Sequence, residues 1–191
     1  MTPFNSSQID KSWTLFLDRD GVINEELRNA YVTAWDEFAF CDGALHALKN
    51  LTDLFGRLIV VTNQRGVGRG IMTLEELREV NKRMQEDVAA AGGRVDRIYS
   101  CIAIDDSDHN RKPNTGMALQ AREDYPQIDF HKSVMVGNNL SDMEFGKRMG
   151  MYTVFVCTTH APHDLPHELI DEQYPSLKAW AESLAQIPVL G

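Results

Sequence analysis

The chain has 191 residues, with 28 Asp+Glu against 19 Lys+Arg, a formal net charge of −9 and 43% hydrophobic residues. This is the composition of an ordinary globular protein, and the acidic balance excludes a nucleic-acid binder, which needs a basic face to displace counterions. Any phosphate it handles must be held by a local cluster of donors and cations.

Short β-branched runs alternate with longer segments of helical period. Residues 13–17 read as a buried strand, followed by a turn at Gly21. Leucines 45, 48, 51 and 54 give 42–55 a helix spacing, and 57–62 (RLIVVT) is a second strand. Thr73, with Glu76 three residues on, opens a capping box for a helix that runs to Gly92–Gly93. A third strand is predicted over 95–104, a helix over 115–125 and a fourth strand over 133–137. A helix over 141–149, a fifth strand over 152–157 and a last helix over 174–184 complete the series. Almost continuously apolar strands alternating with helices predict an α/β fold: a three-layer, Rossmann-like parallel sheet with helices on both faces. There is no repeat, low-complexity tract or Gly/Ser linker, so 1–191 reads as one domain, a core of about 12–158 followed by a loop and helix over 159–191.

The longest apolar run, around 58–61, is far short of a membrane span, and residues 1–10 lack the order of a signal peptide. Cys41, Cys101 and Cys157 are sparse and form no CxxC pair. That pattern suits a reducing compartment, so a cytoplasmic protein is expected, with no membrane or nucleic-acid partner. No coiled-coil pattern or other assembly signature is present, and a monomer is expected.

In an open parallel sheet the site lies at the carboxyl ends of the strands. The residues there are Asp18 and Asp20 after the first strand, Thr62, Asn63 and Gln64 after the second, and Arg111 and Lys112 after the third. Asn138, Asn139 and Asp142 follow the fourth. Two carboxylates crowded in Asp18-x-Asp20 call for a cation, most simply Mg²⁺ with oxygen ligands. Carboxylate, metal, hydroxyl and lysine around one point form a phosphoryl-transfer set.

The segments LFLDRDGVIN, VVTNQRGVGRG, RKP and MVGNNLSDMEFG resemble the four ordered motifs of the haloacid dehalogenase (HAD) superfamily of aspartate-nucleophile phosphatases. Within it, the chain is similar to the branch of heptose-bisphosphate and histidinol-phosphate phosphatases. The resemblance implies that Asp18 attacks phosphorus, that Asp20 serves as general acid and then base, and that Thr62 and Lys112 hold the phosphoryl oxygens. It implies Mg²⁺ on the Asp18 carboxylate, the Asp20 carbonyl and the side chain of Asn138, with Asp142 supporting the metal through water or orienting Lys112. Asn63, Gln64, Arg65, Arg111 and Asn139 are expected to contact the rest of a small phosphorylated metabolite.

The intervals between these motifs are consumed by the sheet and its helices, whereas an inserted domain needs roughly 50 residues of its own. A HAD-like fold with no cap domain is therefore expected, with substrate selection falling to loops 24–35, 65–70 and 105–111. Two departures stand out. The branch usually carries a small zinc loop before RKP, but 101–111 holds one Cys and one His, too few for a four-ligand site, so no structural zinc is expected. The superfamily usually has a metal-binding Asp where Asn138 stands, which favours an active enzyme with weaker Mg²⁺ affinity over a non-catalytic phosphosugar-binding relative. A heptose bisphosphate-type substrate is expected, with histidinol phosphate as the alternative.

Overall fold

In the computed structural model, which describes residues 8–185, six strands form one parallel sheet. Residues 1–7 and 186–191 lie outside that range, and with them most of the polar N-terminal stretch and the end of the expected 1–191 unit. In chain order the elements are β1 (Thr14–Leu17), α1 (Ala44–Leu54), β2 (Arg57–Asn63), a short α2 (Arg65–Gly68) and α3 (Leu74–Ala90). Then follow β3 (Arg97–Cys101), α4 (Gly116–Asp124), β4 (Ser133–Gly137), α5 (Leu140–Met149), β5 (Tyr152–Val156), β6 (Glu172–Tyr174) and α6 (Leu177–Ala185). The strand order is β3-β2-β1-β4-β5-β6, so the chain reverses its direction of travel across the sheet between β1 and β4. A crevice opens outside the carboxyl ends of the strands at such a switch point.

The side-chain alternation of β1 divides the core into two. Leu15 and Leu17 pack with Leu48 and Leu51 of α1, Met84 of α3 and Trp180 of α6. Phe16 faces the other way, into a cluster with Met117 of α4 and Phe145 of α5. Helices thus cover both faces of the sheet, which is why its strands are apolar on both sides. No domain is inserted between the described elements, and the fold is the capless α/β architecture the sequence implies. Among the described residues no helix is long and apolar enough to cross a membrane.

The Thr73 capping box forms as read: its hydroxyl accepts from the Glu76 N–H, and the Glu76 carboxylate accepts from the Thr73 N–H. Three elements differ from the sequence reading. β3 is confined to Arg97–Cys101, and the Gly-rich 65–68 turn winds into a short helix. The last helix starts at Leu177, because Tyr174 belongs to a sixth strand that pairs with β5. The cause is Asp171. Its Oδ2 accepts from the Thr153 N–H at 2.9 Å and the Thr153 hydroxyl at 3.0 Å, and Lys147 Nζ lies 2.6 Å from its Oδ1. Thr153 is fully buried, so this carboxylate pins the incoming chain against the edge of β5. Hydrogen bonds to a charged group contribute roughly 1.5–3 kcal/mol. Asp171→Ala is expected to destabilise the protein by about 2 kcal/mol, read by thermal unfolding, with early loss of amide-exchange protection over β6. Unchanged protection there would show that β6 docks without the carboxylate.

Candidate active site

Parallel pairing fixes the site. Leu17 is in register with Val60 on one side and Val136 on the other, and the Asp18 N–H donates to the Val136 carbonyl at 3.0 Å. The residues that follow β1, β2 and β4 therefore leave the sheet at the same level. Together with the loop after β3, they line a cavity of about 260 Å³ that includes Asp18, Asp20, Thr62, Lys112, Asn139 and Asp142.

At its base Lys112 is almost wholly buried, its Nζ 2.9 Å from Asp18 Oδ1 and 2.7 Å from Asp142 Oδ1. Burial works against this ammonium, yet Asp142 and Asp18 outweigh it and hold its pKa above that of an ordinary lysine. Burial pushes the Asp18 carboxyl up to about 7; Lys112 opposes the rise, and Asp142 and Asp20 reinforce it. Asp18 Oδ1 also accepts the Arg19 N–H at 2.8 Å, which leaves Oδ2 as its less engaged oxygen. Both Asp142 oxygens are occupied, since Oδ2 accepts the Asn139 N–H at 3.0 Å at the start of α5.

Asp20 is surrounded by donors. Arg19 Nη2 and Asn24 Nδ2 donate to its Oδ1 at 2.9 and 3.0 Å, and Gln64 Nε2 donates to its Oδ2 at 2.7 Å. Burial again disfavours the charge, but Arg19, Asn24 and Gln64 prevail and hold this carboxyl below the usual range. Gln64, expected against substrate, is nearly buried; its Nε2 also donates to Thr62 Oγ1 at 2.9 Å, which leaves the threonine proton free for an incoming oxygen. Asn63 exchanges two hydrogen bonds with the Lys112 backbone, at 3.1 and 3.2 Å, and so staples the β3 loop to the end of β2.

Arg65 and Arg111 converge on one carboxylate, Asp106, with Arg111 Nε at 2.8 Å. Arg65 Nε and Arg111 Nη1 are buried with no hydrogen-bond partner. Loop 105–111 is folded by its own aspartates: Asp105 accepts from the Ser107 N–H and hydroxyl, Asp108 from the Asn110 N–H and the Cys101 thiol. Tyr31 hydroxyl accepts from Arg69 Nη1 at 3.0 Å, and farther along the same segment Trp35 stacks on Phe38, which meets Phe40 edge-on. Loop 24–35 thus lines the cavity through residues such as Glu26 and Tyr31, and loop 105–111 through Arg111, while loop 65–70 touches it only through the Arg69 contact to Tyr31.

Arg19 is a site residue that the motifs do not single out, whereas Asn24 and Glu26 lie in the 24–35 loop expected at the site. Arg19 is fully buried, reaching from Asp20 to Asn81 of α3 at 3.1 Å. A cation set between two aspartates was the available signal. Four carboxylates line the cavity (Asp18, Asp20, Glu26 and Asp142) against Arg19 and Lys112, Arg111 being engaged by Asp106. The excess of negative charge in a desolvated space fits a divalent cation. Among the described residues no three His, Cys, Asp or Glu side chains form a metal cage, so such a cation would rely on amide, main-chain and water oxygens as well.

Comparisons with known proteins agree with this geometry. A HAD-hydrolase-like family model matches residues 109–184. The chain is 31% identical to D-glycero-D-manno-heptose-1,7-bisphosphate 7-phosphatase of Chlorobaculum tepidum, over 90% of this chain and 96% of that one. It is 36% identical to D-glycero-alpha-D-manno-heptose-1,7-bisphosphate 7-phosphatase of Mycobacterium bovis, over 69% of this chain and 70% of that one. The crystal structure of D,D-heptose 1,7-bisphosphate phosphatase from B. bronchiseptica, complexed with magnesium and phosphate, superposes with a TM-score of 0.81 at 31% identity. It covers 91% of this chain and 98% of that one.

The raised pKa of Asp18 has a consequence for stability. The carboxyl ionises near pH 4 in the unfolded chain and at about 7 in the folded one. Folded protein therefore loses stability as pH rises between those values and carries the full penalty above 7. Metal-free Asp18→Asn is expected to melt above wild type at pH 8 by about 5 °C, the gap closing toward pH 4. Equal melting temperatures at pH 8 would show that Lys112 fully compensates the buried charge.

Proposed function

The chain belongs to the HAD-like phosphatases, in the family of the D-glycero-D-manno-heptose 1,7-bisphosphate 7-phosphatases, and we propose that it hydrolyses a phosphomonoester of a heptose bisphosphate-type sugar. The observation that carries the reading is the buried Lys112 bridging Asp18 and Asp142 beside the Thr62 hydroxyl, in one cavity.

Asp18 attacks phosphorus; a bond forms between its carboxylate oxygen and phosphorus, and the bond to the ester oxygen breaks with its electron pair. Asp20 gives that departing oxygen a proton. Its donors hold Asp20 ionised in the free protein, and the negative phosphate arriving beside it raises its affinity for the proton it must carry. Asp20 then takes a proton from water, which attacks the aspartyl phosphate and releases inorganic phosphate from Asp18. Lys112 and the Thr62 hydroxyl hold the equatorial phosphoryl oxygens, and Asp142, with both oxygens engaged, orients Lys112.

Mg²⁺ would be held by the Asp18 carboxylate, the Asp20 main-chain carbonyl and the Asn138 amide oxygen, with waters completing its shell. When bound it neutralises charge on the transferring group. Arg111, which lines the cavity and carries an unused donor, suits a second anionic group and repels the amine of histidinol phosphate. The free thiols of Cys41, Cys101 and Cys157 suit a reducing cytoplasm.

Phosphate release from heptose 1,7-bisphosphate, sugar monophosphates and histidinol phosphate, with and without Mg²⁺, tests the reading. Wild type is expected to prefer the bisphosphate, and Asp18→Asn to lose about 10⁴-fold or more in kcat; equal release by the two would sink the enzyme reading. Arg111→Ala is expected to raise KM for the bisphosphate about tenfold while leaving that for a monophosphate little changed. An equal rise for both would remove the arginine from recognition of the second phosphate.

A further inference from the structure

Asn138, at the end of β4, is fully buried, and both protons of its amide are spent. Nδ2 lies 2.9 Å from Glu26 Oε2 and 2.6 Å from Thr159 Oγ1, while Oδ1 faces Asn139 Nδ2 at 3.3 Å. Glu26 comes from the loop after β1 and lines the same cavity as Asp18 and Asp20. A carboxylate has no proton to give, so it accepts only the NH₂ end of the amide. Turning the amide over would set two acceptors against each other at that distance.

Gly21 makes room for the pair. Its φ is +79°, and a Cβ there would stand 2.1 Å from Asn138 Nδ2 and 3.2 Å from Glu26 Oε2. The slot between the β1 loop and the end of β4 is therefore filled by one amide–carboxylate contact. That contact joins a carboxylate of the loop after β1 to the amide that stands where the resemblance implies a carboxylate.

We propose that Glu26 is a positioning residue of the cation site, holding Asn138 with its amide oxygen on the side of Asn139, a residue that lines the cavity, and supplying from the loop the negative charge that position 138 lacks. The inference rests on the proposed phosphatase reading only for the identity of the cation. A carboxylate at 138 and one at 26 are alternatives in this arrangement: each suffices, and both together repel.

Mg²⁺ affinity of the full chain, measured by calorimetry without substrate or phosphate, tests this directly. Glu26→Gln is expected to weaken Mg²⁺ binding about tenfold, because the charge is gone and the amide is free to turn. Glu25→Gln, on the same loop, is expected to change it less than twofold. In the Glu26→Gln background, Asn138→Asp is expected to restore wild-type affinity by returning a carboxylate to position 138. A second readout is the melting temperature of the metal-free protein: Asn138→Asp is expected to lower it when Glu26 is present and to leave it unchanged when Gln stands at 26. Wild-type affinity in Glu26→Gln, equal weakening by Glu25→Gln, or no restoration in the double variant would each overturn the proposal. Mg²⁺ binding with no phosphate released from any ester would instead refute the phosphatase reading and leave this pairing intact.

Discussion

One buried ammonium organises the catalytic end of this molecule. Asp18 and Asp142 leave different strands, and neither carboxylate is tolerable in a desolvated cavity without a cation. Lys112, itself nearly inaccessible, sits between them and is compensated by them in turn. Its backbone is gripped by Asn63 at the end of β2, so β2, the loop after β3 and the start of α5 are drawn onto the end of β1 through a single residue. The sheet supplies the level at which these loops start; Lys112 supplies the reason they meet.

The arrangement stores an electrostatic imbalance. Asp18 sits beside Asp142 and Asp20, and burial lifts its pKa far from that of a surface carboxyl. Asp20, one residue beyond Arg19, is held at the opposite extreme by three donors. Two carboxyls separated by a single residue are thus driven apart in proton affinity by their surroundings, one raised and the other lowered.

Much of this was legible in the sequence, because it is written in features with physical period or spacing. Strands buried on both faces are continuous apolar runs, and β1, β2, β4 and β5 were visible as such. Polar residues placed just beyond each strand point to Asp18, Asp20, Thr62, Lys112 and Asp142. What escaped were elements stabilised from outside their own sequence. Glu172–Tyr174 is polar and only half-buried, and it becomes a strand because Asp171 anchors it to Thr153. Asp106 is exposed and draws Arg65 and Arg111 together, and Arg65 lies 41 positions away in the chain, a contact that no local pattern announces. Arg19 and Glu26 belong to no periodic pattern; their roles follow from partners 62 and 112 positions away.

Among the described residues no domain covers the cavity, which leaves it dependent on its visitor. Tyr31 and Arg111 stand at its edge, tied outward to Arg69 and Asp106. The electrostatic forces at the base strengthen only as water leaves, and the body of the substrate is then what displaces it. A sugar broad enough to reach the rim closes the chamber with its own bulk, so the leaving group doubles as the lid. Selection in such a pocket is set by a minimum size: a short phosphate ester fits the base but leaves it wet.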